Sequence, residues 1–153
     1  MSLPGISTLE AAVDGRVVPQ GSPGLEDVRR PAWAQFESIF PEAVVRCRTA
    51  ADVAETVTFA QRVGADLAVR SGGHCFAGRS STCGILIDLS DLRSVSVTDG
   101  LATVEAGALL GDVYARLDAD GLTIAAGACP SVGIAGLTLG GGLGILGRRY
   151  GLT

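Results

Sequence analysis

Apolar positions along the chain fall into short runs whose period changes from element to element. Thr49 stands three residues before Asp52, and Val53, Val57 and Ala60 recur on one face until Gly64. This spacing predicts a capped helix over Thr49–Gly64. Two compact runs follow, Asp66–Arg70 (DLAVR) and Ile85–Leu89 (ILIDL), each short enough for a buried strand. A long loop joins them. Arg93–Thr98 alternates, Asp99-Gly100 is a hairpin signal, and Leu101–Ala106 returns as its partner. Leu110, Val113, Tyr114 and Leu117 mark a second helix that Gly121 ends, and Leu122–Ala126 reads as one more strand. Ahead of these, Pro4, Pro19, Pro23 and Pro31 break up the first thirty residues. They leave room for one short helix and one short strand around Val17 and Val18. The pattern predicts an N-terminal arm (1–35) and an α+β domain (36–153), with helices interleaved with parallel-type and hairpin strands.

Composition narrows the function classes. A chain of 153 residues, 47% hydrophobic and 18% charged, has room for one sizeable core and is too apolar for disorder. Twelve basic against 16 acidic residues leave no surplus to neutralise phosphates, so nucleic acid is not an expected partner. His74 is the only histidine, and Cys47, Cys75, Cys83 and Cys129 show no zinc-type spacing, so no metal site is expected. No secretory signal precedes the domain, which points to a soluble protein of the cytoplasm. From Gly121 to Gly147 no residue carries a charge, a length that would cross a membrane. Nine glycines and Pro130 strip that stretch of the side chains a lipid-facing helix needs, so no membrane span is expected. Backbone packed closely around a bound molecule explains the glycines better.

Two segments carry the candidate chemistry. In Arg70-Ser71-Gly72-Gly73-His74-Cys75-Phe76-Ala77-Gly78, adjacent glycines after a strand let backbone N–H groups converge as an anion nest suited to a pyrophosphate. Arg70 and Ser71 would add charge and a hydroxyl; an ordinary tight turn with a solvent-facing histidine explains the same spacing. The second segment runs from Gly127-Ala128-Cys129-Pro130-Ser131-Val132-Gly133 through Gly136 to the run Gly140–Gly142. Its small residues admit a flat ring or a phosphate to the backbone, whereas the bland fate of Cys129 is a small buried hydrophobe. Gly142, Gly144 and Gly147 spell GxGxxG, but glycine-rich loop precedes them where the dinucleotide motif needs a strand. No GxSxG elbow exists. A Cys129–His74 hydrolytic dyad is chemically open, yet it leaves the glycine arrays without a purpose.

Together, VRSGGH with Gly78 and then GACPSVGIAGLTLGGGLGILGRRYGL resemble the FAD-binding domain of the berberine-bridge-enzyme-like oxidoreductases. These are flavoproteins of the vanillyl-alcohol-oxidase type, with a PCMH-type FAD-binding domain, and the likeness covers roughly residues 20 to 153. The resemblance implies a small parallel α/β subdomain followed by a mostly antiparallel one. It implies FAD bonded covalently through His74 to the flavin 8α-methyl and through Cys129 to C6. Arg70, Ser71, Gly72, Gly73 and His74 would cradle the pyrophosphate, Gly78 would also bind the cofactor, and backbone around Gly133, Gly136, Gly141 and Gly142 would lie along it. The implied activity takes a hydride from an alcohol, a sugar hydroxyl or an amine-adjacent carbon and passes electrons to oxygen. Family members are far longer, so the substrate wall and the catalytic base are expected in a C-terminal part of the same enzyme. No catalytic residue is assigned within this chain, which alone is expected to be inactive. The residues near Leu25 and Ala34 depart from the tyrosine and asparagine frequent there. A non-catalytic FAD-binding fragment that completes a site with another segment, and a flavin-free Cys–His hydrolase, are the rival readings.

Overall fold

A computed structural model describes residues 3–153. Strands β1 (Arg16–Pro19), β2 (Ala43–Arg46), β3 (Leu67–Arg70) and β4 (Ile85–Asp88) form one sheet in the order β1-β2-β4-β3. Strand β1 runs antiparallel to β2, while β4 is parallel to both β2 and β3. Ala43, Val45, Ile85 and Ile87 point to one face, where they pack with Leu9 of helix α1 (Ile6–Ala12) and with Phe59 and Ala60 of α3 (Ala50–Val63). Val18, Val44, Ala68 and Leu86 point to the other, against Leu25 of α2 (Leu25–Arg29). A strand covered on both faces reads as an unbroken apolar run, which is why ILIDL was legible.

Several elements depart from the sequence pattern. DLAVR forms the expected strand, but β3 is an edge: Leu67 and Val69 are 37% and 49% exposed, and of its apolar residues only Ala68 is buried. Ala43–Arg46, which the period did not single out, is the strand that joins β1 to β4. The described residues 3–35 hold two helices where one was expected, and Leu9, Val17 and Leu25 are buried in the sheet's cores. The described part of the arm is therefore built into the sheet.

Helix α3 begins as its sequence requires. Thr49 Oγ1 accepts the Asp52 N–H at 3.1 Å, and the Asp52 carboxylate accepts the Thr49 N–H at 3.2 Å. That carboxylate also accepts N–H groups of Arg48 (2.8 Å) and Asp14 (2.9 Å), so one side chain both caps the helix and ties the arm to it. A Cβ on Gly15, beside Asp14, would strike the Arg46 carbonyl oxygen. Burial alone would raise the Asp52 pKa, but the N–H donors outweigh it and hold the carboxyl below its ordinary value. Gly64 closes the helix in the left-handed region at φ +67°.

The second part of the chain is a hairpin packed on a helix. β5 (Val95–Thr98) and β6 (Leu101–Val104) pair antiparallel across Asp99 (φ 51°) and Gly100 (φ 75°), two consecutive left-handed residues as a two-residue turn demands. Val95, Val97 and Val104 pack against Leu110, Val113 and Leu117 of α4 (Leu110–Asp118). The strand expected over Leu122–Ala126 is absent. Its alternation serves packing instead, with Ile124 and Ala126 joining the α4 core without a ladder partner. The expected loop after Gly133 is instead helix α5 (Ile134–Gly140), followed after a bend by the single turn α6 (Gly147–Tyr150). A glycine inside a helix costs about 1 kcal/mol. Ile134 and Leu137 offset this by anchoring α5 in the α4 core. A helix rather than a strand thus precedes the GxGxxG run, again excluding the dinucleotide motif. No helix among the described residues is long and apolar enough to cross a membrane.

Because the Asp52 pKa is depressed in the fold, its contribution is complete above the ordinary carboxylate range and vanishes as pH falls through the folded value. Asp52→Asn should lower unfolding stability by about 1–3 kcal/mol at pH 7. Urea titrations should then converge with wild type as the pH falls below about 4.

Candidate functional site

The site is built from two loops, one leaving each part of the fold. Arg70 ends β3, and its guanidinium is buried. Nε donates to the Ser80 carbonyl at 3.0 Å, Nη1 to the carbonyls of Val28, Arg29 and Arg30 at 3.3, 2.7 and 3.2 Å, and Nη2 to Ser81 Oγ at 3.3 Å. This differs from the expectation that Arg70 lends its charge to a phosphate: its donors hold the α2 exit and the far side of its own loop. Burial pulls its pKa below the usual value, and the Asp88 carboxylate opposes the pull. Ser71 is likewise engaged, donating to the Ala106 carbonyl at 2.7 Å.

The other loop is pinned to α4. Gly111 N–H donates to the Pro130 carbonyl and Leu110 N–H to the Val132 carbonyl, both at 2.9 Å, which satisfies donors that a helix start leaves free. The two loops then meet backbone to backbone. A Cβ on Gly72 would run into the Gly133 nitrogen and lie 2.8 Å from the Ser131 carbonyl oxygen; one on Gly133 would run into Ser71 Oγ. Here the glycines are needed for the chain's own closure. Gly73 adds a left-handed turn at φ +73°, and Gly78 (φ +72°) leaves room for the Phe36 ring. Gly136, Gly141 and Gly142 sit elsewhere. A Cβ on Gly136 would meet open space, whereas Gly141 and Gly142 pack on Leu152, Leu137 and Thr153.

This closure brings His74 and Cys129 together. His74 Nε2 lies 3.0 Å from Ser131 Oγ, and Ser131 Oγ lies 3.5 Å from Cys129 Sγ. The Trp33 indole N–H donates to the His74 carbonyl at 3.3 Å, and its ring meets the imidazole edge-on at 6.1 Å. Cys129 is exposed, so it is not the buried hydrophobe of the bland reading; Cys47 has that fate, and burial pushes its thiol up to about 12. The Ser131 hydroxyl, followed by the Ser131 and Val132 N–H groups, pulls the Cys129 thiol below its ordinary value. Cys75 has a separate environment: the Arg79, Ala77 and Ser80 N–H groups and the Arg79 charge lower its thiol. Ser71, Gly72, His74, Arg93, Asp112 and Ser131 face a common cavity of about 360 Å³. The sequence reading gave no part to Ser131, Arg93, Asp112 or Trp33. Only Ser131 left a signal, two residues beyond Cys129.

Residues 41–153 match the family model described as FAD binding domain. The chain belongs to that family. It is 37% identical over 142 residues to an uncharacterized FAD-linked oxidoreductase of Bacillus subtilis, covering 91% of this chain and 31% of the relative. It is 39% identical over 118 residues to berberine bridge enzyme-like 5 of Arabidopsis thaliana, covering 72% and 22%. Among solved structures, 6-hydroxy-D-nicotine oxidase from Arthrobacter nicotinovorans superposes with a TM-score of 0.87 at 32% identity, over 92% of this chain and 31% of that one. The fold is thus the PCMH-type FAD-binding fold, and the chain spans about a third or less of the length of these relatives.

The residues present fit a flavin nucleotide. His74 faces the cavity, Cys129 stands one Ser131 hydroxyl away from it, and the loops meet through glycine backbone at Gly72 and Gly133.

Two outcomes follow from the loop contact and the thiol environments. Gly72→Ala should destabilise the fold by about 1–3 kcal/mol, as overpacking does, read as a lower unfolding midpoint. At pH 7, iodoacetamide should label Cys129 and Cys75 in the native chain and leave Cys47 untouched until unfolding, as peptide mass mapping would report.

Proposed function

We propose that this chain is the FAD-binding part of a covalently flavinylated oxidoreductase, with His74 and Cys129 as the two attachment points. The observation that carries the reading is the placement of His74 Nε2 and Cys129 Sγ on one Ser131 hydroxyl, reached from opposite sides of the loop junction. When bound, FAD supplies an acceptor for two electrons and a proton equivalent, the chemistry that no side chain here provides. The protein's part is to hold and orient. The imidazole and the lowered Cys129 thiol are the two nucleophiles that meet at Ser131, and both suit an electron-poor ring. Arg70 stiffens the loop that carries His74, and the Gly72–Gly133 contact sets its distance from Cys129.

In the whole enzyme, the reaction takes a hydride from an alcohol, a sugar hydroxyl or an amine-adjacent carbon and passes the electrons to oxygen. The oxidase name of the solved relative supports the acceptor. The substrate is a small molecule, and the base that deprotonates it lies in the part of the enzyme beyond this chain. The cytoplasm is the proposed compartment. A Cys–His hydrolase is disfavoured because the thiol hydrogen-bonds to Ser131 rather than to the imidazole.

The test is the mass of the acid-denatured protein after incubation with FAD. Wild type should carry one FAD. His74→Ala and Cys129→Ala should each keep one through the surviving link, and the double variant should lose it. Release of all FAD from denatured wild type would overturn the attachment reading.

A further inference from the structure

We propose that Ser131 is a positioning residue whose single hydroxyl proton links the tautomer of His74 to the ionisation of Cys129. The hydroxyl lies 3.0 Å from His74 Nε2 and 3.5 Å from Cys129 Sγ, and it donates to only one of them at a time. While the thiol is protonated, Ser131 donates to Nε2, so the imidazole proton sits on Nδ1. A thiolate accepts and cannot donate. Ser131 then turns its proton to sulfur, and Nε2 must carry a proton to donate back to Ser131 Oγ. The lone pair of Nδ1 is thereby freed.

The step balances. Cys129 loses one proton to solvent, Ser131 keeps its own, and the imidazole keeps one proton that exchanges through water from Nδ1 to Nε2. Both nucleophiles are armed by one deprotonation. Ser131 and Val132 N–H groups favour the thiolate, consistent with the lowered Cys129 thiol. The charged groups lining the cavity that His74 and Ser131 face are Arg93, at the start of the hairpin segment, and Asp112 of α4, whereas the Cys129 thiol answers to Ser131 and Val132. The Trp33 ring packed on the imidazole is uncharged. Ser131 hydrogen-bonds to both partners.

This inference rests on the attachment reading for its purpose, but its test uses the whole chain without flavin, so either can fail alone. His74 is the only histidine, so its imidazole 15N signals are unambiguous. In wild type, those signals should pass from the Nδ1–H to the Nε2–H pattern with the same midpoint as Cys129 alkylation. Ser131→Ala should raise the alkylation midpoint by about one pH unit and leave the tautomer indifferent to it. Ser131→Thr should restore the coupling. Cys129→Ala should hold His74 in one tautomer wherever the imidazole is neutral. Arg93→Gln and Asp112→Asn should leave the thiol midpoint in place, with the tautomer still following it. A wild-type tautomer that ignores Cys129 ionisation, or one that follows it equally in Ser131→Ala, would overturn the proposal.

Discussion

Gly72 and Gly133 approach so closely that neither position accepts even a methyl group, and the arrangement of the site descends from that contact. Each glycine belongs to a loop fixed from behind. Arg70 holds the first loop through buried carbonyls, and the start of α4 holds the second through Pro130 and Val132. Two such loops, closed on each other with glycine on both sides and only Ser71 against Gly133, leave little freedom to the residues beside the closure. His74 and Ser131 are those residues. A serine hydroxyl and an imidazole, far apart in the chain, therefore meet at hydrogen-bond distance before any ligand is considered.

The two loops also come from different cores. One leaves the sheet whose faces are packed by α1, α3 and α2, and the other is seated on the α4 core beneath the hairpin. The site lies at the seam. Each half supplies one nucleophile, so neither core alone assembles the pair. The Ser71 hydroxyl adds a bond across the seam by reaching the Ala106 carbonyl, just ahead of α4. Precision at the site is thus a product of docking rather than of either element by itself.

Local rules made much of the fold legible. The Thr49–Asp52 box, the Asp99-Gly100 turn, the i, i+3, i+7 spacing of α4 and the apolar run of β4 each carry their own conformational reason. What stayed hidden depended on distant partners. Leu67 and Val69 look like core residues, and only the strand order reveals β3 as an edge. Helix α5 is a poor helix by propensity and exists because Ile134 and Leu137 find the α4 core. The Leu122–Ala126 alternation has a strand's period and no strand beside it. At the site, His74 and Cys129 stood out by chemical type, while Ser131 had no mark of its own beyond lying near Cys129. Arg70 was visible as a charge, but its burial among the carbonyls of residues 28–30 was a tertiary fact.

Trp33 is the protein's only tryptophan, and it is tied to the very loop that carries His74. Its indole donates to the His74 backbone, meets the imidazole edge-on and lies against the Phe76 ring at 4.8 Å. Emission excited at the long-wavelength edge, where Tyr114 and Tyr150 do not absorb, therefore arises from one indole that lies against the 74–76 segment. A change at the imidazole or in the loop alters the polarity and quenching that this fluorophore experiences. The fold thus contains an intrinsic optical reporter of its own attachment loop, with no label to introduce and no second tryptophan to subtract.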